Sequence, residues 1–137
     1  MKKKNSYYVN RHSCFLLQYH LVLVTKYRHP VMVNKIRERI LFLISEYFNN
    51  WDFPIIEYEI CADHLHILFE TMPNVNLSNF INGLKTYISR KIRKEFSVEL
   101  SKYYWKPYFW SESYFIATVS ERSTDLVKQY ISTQLKH

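Results

Sequence analysis

Glycine is almost missing from this chain: one residue in 137, beside four prolines. Regular elements should therefore dominate, and the turns must use Asn, Asp and Ser. Cysteine is nearly as scarce. Cys14 and Cys61 form neither a disulfide framework nor a Cys-x-x-Cys pair, and they read as reduced, buried thiols of a cytoplasmic protein. No apolar run approaches the ~20 residues that span a membrane, so no membrane partner is expected. The basic opening, MKKKNSYYVN, has no apolar segment after it and does not read as a signal peptide. Acidic residues are absent from the first quarter; the first is Glu38.

Cations and aromatic rings are abundant instead. The formal charge is +7 and aromatics make up 18% of the chain, with 12 Tyr and 9 Phe. Cations suit phosphates and rings suit stacked bases, so this pairing fits a nucleic-acid partner, although a merely basic soluble protein has the same composition. Hydrophobic residues at 47% exclude disorder, and 137 residues suit one domain, 1–137, with a single core.

Residues 1–13 read as a flexible basic arm. CFLLQYHLVLVTKY (14–27) reads as a buried strand, and NKIRERILFLISEYFNN (34–50) as a helix capped by Asn34 and ended by Asn49-Asn50. DFPIIEYEI (52–60) alternates as a strand, with Glu57 and Glu59 on one face. Residues 64–70 form the next strand, and 77–96 a helix with Leu77, Phe80, Ile81, Leu84, Ile88 and Ile92 as its apolar stripe. The segment 97–113 is irregular and aromatic, 114–119 is a last strand, and 123–137 a final helix. The order β-α-β-β-α-β-α predicts an α+β domain: a ferredoxin-like, RRM-like antiparallel sheet with two helices on one face, plus a C-terminal helix.

Within CADHLHILFE (61–70), Leu65, Ile67 and Phe69 point one way, and His64, His66, Leu68 and Glu70 the other. The apolar set belongs to the core, which leaves both imidazoles on the open face. Two such imidazoles can chelate a divalent cation, and they can equally be exposed polar residues. In the last helix Tyr130 and Gln134 share one face, one turn apart, inside the apolar stripe. Most tyrosines so placed are core residues with a satisfied hydroxyl. A buried amide needs partners, and a carboxamide oxygen suits Mg²⁺ or Mn²⁺.

DHLHILFE followed by a C-terminal helical VKQYISTQ resembles the single-tyrosine HUH transposases of minimal bacterial and archaeal insertion sequences, the IS200-like group and its REP-associated relatives. YHLVLVTKYRHPVM (19–32) and FWSESYFIATVS (109–120) extend the resemblance to about residues 14–135. It implies nicking of single-stranded DNA near subterminal hairpins, with Tyr130 as the catalytic nucleophile forming a 5′-phosphotyrosine. It implies a divalent metal, Mg²⁺ or Mn²⁺, on His64, His66 and Gln134, no nucleotide cofactor, and a homodimer in which the tyrosine helix can complete the partner's site. The family often has Gly-Gly before that helix. Here Ser120 to Ser123 stand there, which implies a stiffer hinge. A single-stranded nucleic-acid-binding module without catalysis, and a metal-dependent nuclease that uses water, are the competing readings.

Lys85, Arg90, Lys91, Arg93 and Lys94 on the second long helix have too few acidic neighbours to be neutralised by i,i+4 pairs, and they are expected on DNA together with Lys26 and Arg28 in the basic turn after the first strand. The very apolar opening strand and the aromatic segment 103–110 predict surface for a two-fold homodimer.

Overall fold

The structure is a computed structural model that describes residues 3–4, 7–120 and 123–134, without the side chains of 4 and 123. Its strands and helices in chain order are β1 (Lys3–Lys4), β2 (Tyr7–Val9), β3 (Cys14–Phe15), β4 (Leu17–Val24), α1 (Asn34–Trp51), β5 (Ile55–Ile60), β6 (His64–Thr71), α2 (Leu77–Glu95), the single turn α3 (Ser97–Leu100), β7 (Phe115–Thr118) and α4 (Ser123–Thr133). The main sheet runs β5-β6-β4-β7, every pair antiparallel. This is the expected ferredoxin-like α+β arrangement, because each long helix carries the chain over a neighbouring strand.

The alternation read in the sequence sets the layers. Leu21 and Leu23 of β4 and Leu65, Ile67 and Phe69 of β6 enter one core with α1 and α2. The α2 stripe is buried at Phe80, Ile81, Leu84, Ile88 and Ile92. Each such side chain contributes about 1.5–3 kcal/mol of hydrophobic stabilisation. The Asn76 side chain caps α2 by accepting from the Asn79 amide at 3.1 Å. Val22 and Val24 face the opposite side, where Val127, Tyr130 and Ile131 of α4 cover them. The opening strand is apolar on both faces because a third helix needs the second face.

That arrangement corrects one ground for expecting a dimer. Tyr104, Phe109 and Trp110 also belong to the core, whereas Tyr103 and Trp105 remain exposed. Three further expectations change. The described part of the arm forms β1 and β2, which pair with β3, a piece split from the start of the expected opening strand, in a small sheet β1-β2-β3. It is anchored where the Tyr8 hydroxyl donates to the buried Glu70 carboxylate, which also accepts from Lys3 at 3.1 Å and Gln18 at 2.7 Å. Burial opposes ionisation of Glu70, but these three donors outweigh it and hold its pKa below the ordinary value. Cys14 and Cys61 are both free, but neither is buried: Cys14 is exposed and Cys61 is partly so. Asn34 does not cap α1: Val33 holds the N-cap position without a side-chain bond, and Asn34 follows with φ 53°.

The shortage of glycine shows in the backbone. Tyr27, Arg28, Asn34 and Asp52 take left-handed φ values of 53–58°, a region that costs a non-glycine residue about 1–2 kcal/mol. Asp52 ends α1 in that conformation, its amide donating to Phe48 and Asn49 carbonyls. The single glycine, Gly83, lies where α2 meets α1. There the Tyr47 hydroxyl reaches over it to donate to the Phe80 carbonyl at 2.8 Å. Among the described residues no helix is long and apolar enough to cross a membrane.

Candidate active site

The open face of the sheet carries a polar end. His64 pairs across strands with Val24, His66 with Val22 and also with Glu59 on its other side, and His20 lies opposite Leu68. Both predicted imidazoles thus lie on the expected face, half-buried. The Asp63 carboxylate holds His64 Nδ1 at 2.8 Å and leaves Nε2 for another partner. Arg28 in turn holds Asp63, its Nε donating to Oδ2 at 3.1 Å. Burial opposes ionisation of Asp63, but the His64 and Arg28 contacts outweigh it and keep its pKa below the ordinary range. A carboxylate behind an imidazole fixes the tautomer and orientation of a ligating histidine.

A third imidazole was not anticipated. His20 Nδ1 lies 2.7 Å from His66 Nε2, and the rings stack with centroids 4.9 Å apart. Burial pushes the pKa of both rings down, reinforced at His66 by the neighbouring His20. The lowered pKa values favour the neutral rings, in which one nitrogen of this contact donates and the other accepts. The signal was in the sequence: His20 lies two residues before Val22, so it shares the face of Val22 and Val24. Among the described residues no three His, Cys, Asp or Glu side chains converge as metal ligands. His64 and His66 supply a two-imidazole donor pair, and a third ligand for a divalent ion would have to come from outside it.

Tyr130 sits on the inner face of α4, in the cluster of Val22, Val24 and Val127 and against Phe115, with ring centroids 5.2 Å apart. One strand spacing, ~4.8 Å, separates Val22 from His66. The hydroxyl, however, faces β7 and bonds Ser113 Oγ at 2.8 Å. Burial raises the Tyr130 pKa and the Ser113 bond partly offsets this. Gln134 lies just past α4, which ends at Thr133 and not at 137 as expected, residues 135–137 lying outside those described. Its amide donates to the Tyr130 carbonyl at 3.4 Å, and it borders a pocket of about 300 Å³ with Val24, Thr25, Lys26 and Arg28. It makes no hydrogen bond to either imidazole. The structure therefore places His64 and His66 on one sheet face, Tyr130 on α4 and Gln134 just past it, without closing them into a single set.

The predicted DNA contacts divide. Arg90, Lys91 and Lys94 are exposed on α2. Arg93 is half-buried, its Nε donating to Ser89 Oγ at 3.1 Å. Lys26 lies over the rings of Tyr27 and Tyr108, at 5.2 and 4.9 Å. Arg28 is committed to Asp63 and to the Ile131 carbonyl at 3.4 Å, so it ties α4 to the sheet rather than standing free. Lys85 is internal as well: its ammonium donates to the Ser111 and Glu112 carbonyls at 2.9 and 3.2 Å, and burial lowers its pKa.

The ferredoxin-like sheet, with α4 packed on the face that carries the histidines, matches known proteins in both sequence and fold. The chain belongs to the IS200-like transposase family, which it matches over residues 13–134. It is 28% identical over 134 residues to the ISDra2 transposase TnpA of Deinococcus radiodurans, covering 98% of this chain and 91% of that one. It is 30% identical over 125 residues to the transposase of insertion sequence element IS200 from Salmonella typhimurium, covering 91% and 81%. A transposase crystal structure from D. radiodurans R1 superposes with a TM-score of 0.87 at 27% identity, over 95% of this chain and 99% of that one. A REP-associated tyrosine transposase bound to a REP hairpin shares the fold, with a TM-score of 0.59 at 10% identity, covering 94% and 68%.

Proposed function

We propose that this transposase cleaves single-stranded DNA at the ends of an insertion sequence and rejoins it through Tyr130. The Tyr130 oxygen, its proton lost to solvent, attacks a backbone phosphorus. The P–O3′ bond breaks, and the departing 3′-oxygen takes up a proton. The 5′-phosphotyrosine conserves the bond energy, so a 3′-hydroxyl can attack it and rejoin strands without a nucleotide cofactor. The observation that carries this reading is Tyr130 on the helix that covers the histidine-bearing face, within a chain of the IS200-like family.

His64, His66 and Gln134 are the residues that would hold a divalent ion, Mg²⁺ or Mn²⁺, which when bound polarises the phosphate and the leaving oxygen. Neutral His66, and His64 braced by Asp63, suit that role. The Tyr130 hydroxyl rests on Ser113 rather than on either histidine, and a shift of α4, or the same helix supplied by a second copy, would present a tyrosine to the phosphate. We read the active species as a homodimer on this ground. Exposed cations on α2 suit the DNA backbone, and a hairpin near each element end is the expected target.

Incubation with single-stranded element ends, followed by a denaturing gel, tests the proposal. A covalent protein–DNA adduct, lost in Tyr130→Phe, is the expected result. The Ser113 bond also suits a nuclease that uses water, with Tyr130 structural; free cut ends without adduct would establish that alternative. Absence of any cleavage would leave a nucleic-acid-binding module.

A further inference from the structure

Trp105 is 80% exposed, more than any other large apolar side chain among the described residues. It does not stand on a loose segment. Tyr104 beside it is buried and donates its hydroxyl to the Lys26 carbonyl at 2.7 Å. Tyr108 meets Tyr27 and Tyr104 edge-on, at 5.9 and 6.3 Å. The indole is thus held in water by an anchored strap, and the Lys106 ammonium lies 4.6 Å from its ring centre.

Two shallow grooves run from this strap along α2. One is bordered by Ser89, Arg90 and Arg93 opposite Pro107 and Tyr108, and the other by Arg93, Ser97 and Lys106. They share Arg93, Pro107 and Tyr108 and so form one path. Glu112 is the one carboxylate residue that borders it. Lys26, over Tyr108, adds a further cation to this side.

We infer that this strap and groove bind an unpaired stretch of DNA, with phosphates along Arg90, Arg93 and Lys106 and a base stacked on Trp105. An exposed indole beside a run of cations matches the two parts of a single strand, the flat base and the charged backbone. A second copy of the chain fits less well, because a two-fold contact here would bring like charges together. The choice of DNA rests on the single-strand reading above; the site itself is separate from His64, His66 and Tyr130.

The test uses the full chain and two probes, a (dT)20 strand and a blunt 20-base-pair duplex. Wild-type tryptophan fluorescence should be quenched by (dT)20. Trp105→Ala should bind (dT)20 about tenfold more weakly, the loss of one stacked base, while duplex affinity and circular dichroism stay unchanged. Trp105→Phe should lose most quenching yet stay within about threefold of wild type, since a smaller ring still stacks. Arg93→Ala should lower the salt slope by about one. Equal (dT)20 affinity of Trp105→Ala and wild type overturns the inference. So does loss of self-association in Trp105→Ala with DNA affinity retained, which would assign the surface to a second copy. An adduct assay run in parallel separates the two claims. Trp105-dependent binding without adduct supports this surface and overturns Tyr130 chemistry, and adduct with Trp105-independent binding does the reverse.

Discussion

His20 Nδ1 and His66 Nε2 lie 2.7 Å apart, with their rings stacked. At that distance one nitrogen donates and the other accepts, so the contact fixes a tautomer for each ring. His66 is thereby oriented from β4, as His64 is oriented by Asp63 in the turn before β6. His20→Ala should leave the fold intact and lower both adduct formation and divalent-ion affinity by about 10–100-fold, the usual cost of losing a group that orients a ligand. His20→Asn, which can still bond a ring nitrogen, should restore part of both. Calorimetry with Mn²⁺ reads the second effect without DNA; unchanged affinity would deny His20 this role.

The Tyr8–Glu70 contact should leave a mark at both ends of the pH scale. Glu70 has a depressed pKa, so its contribution is complete above the ordinary value and fades as pH falls through the folded one. Tyr8 is pushed up to about 12 by burial and by Glu70, so its contribution is complete below pH 10 and fades as pH rises toward 12. Tyr8→Phe should cost about 1.5–3 kcal/mol, as expected for a buried hydrogen bond to a charged group. Urea unfolding from pH 3 to 12 checks both the size and the lost alkaline limb.

Gly83→Ala adds a methyl that meets the Tyr47 hydroxyl. Alanine gains about 1 kcal/mol of helix propensity over glycine, and the clash should exceed that, for a net loss of about 1–2 kcal/mol. In a Tyr47→Phe background the hydroxyl is gone and the same change should be neutral or stabilising. A double-mutant cycle by denaturant melts that shows simple additivity would contradict this account.

Ser113→Ala removes the bond that holds the Tyr130 hydroxyl toward β7. A neutral hydrogen bond contributes about 0.5–1.5 kcal/mol, so the docked helix should weaken by that amount. The initial rate of adduct formation should then rise about two- to tenfold. A fall in rate would mean that Ser113 holds Tyr130 in its reactive position rather than at rest.

The sequence made the layers legible where periodicity was long. The α2 stripe and the alternation of 64–69 sit as read, and with them the histidine face. Short or tertiary features were hidden. β1, β2 and β3 are too brief for any period to register, and the Glu70 carboxylate that anchors them is some sixty residues away. Lys85 looked like one more cation of a basic helix; only folding brings the carbonyls of 111 and 112 onto its ammonium. His20 was masked by its neighbours, because a strand apolar on both faces conceals which polar residue shares the site. Arg28 matched a basic turn by composition, but its partner Asp63 lies in another turn.

The cover that α4 places over Val22 and Val24 has a thermal consequence. Any release of the helix wets these buried valines and Phe115, and wetting apolar surface raises the heat capacity. Hydrophobic cover also weakens on cooling. If release of α4 precedes Tyr130 chemistry, the Eyring plot for adduct formation should curve, and Val127→Ala, which thins the cover, should flatten it. A straight plot with unchanged slope in Val127→Ala would mean that the tyrosine reacts without its helix leaving the sheet.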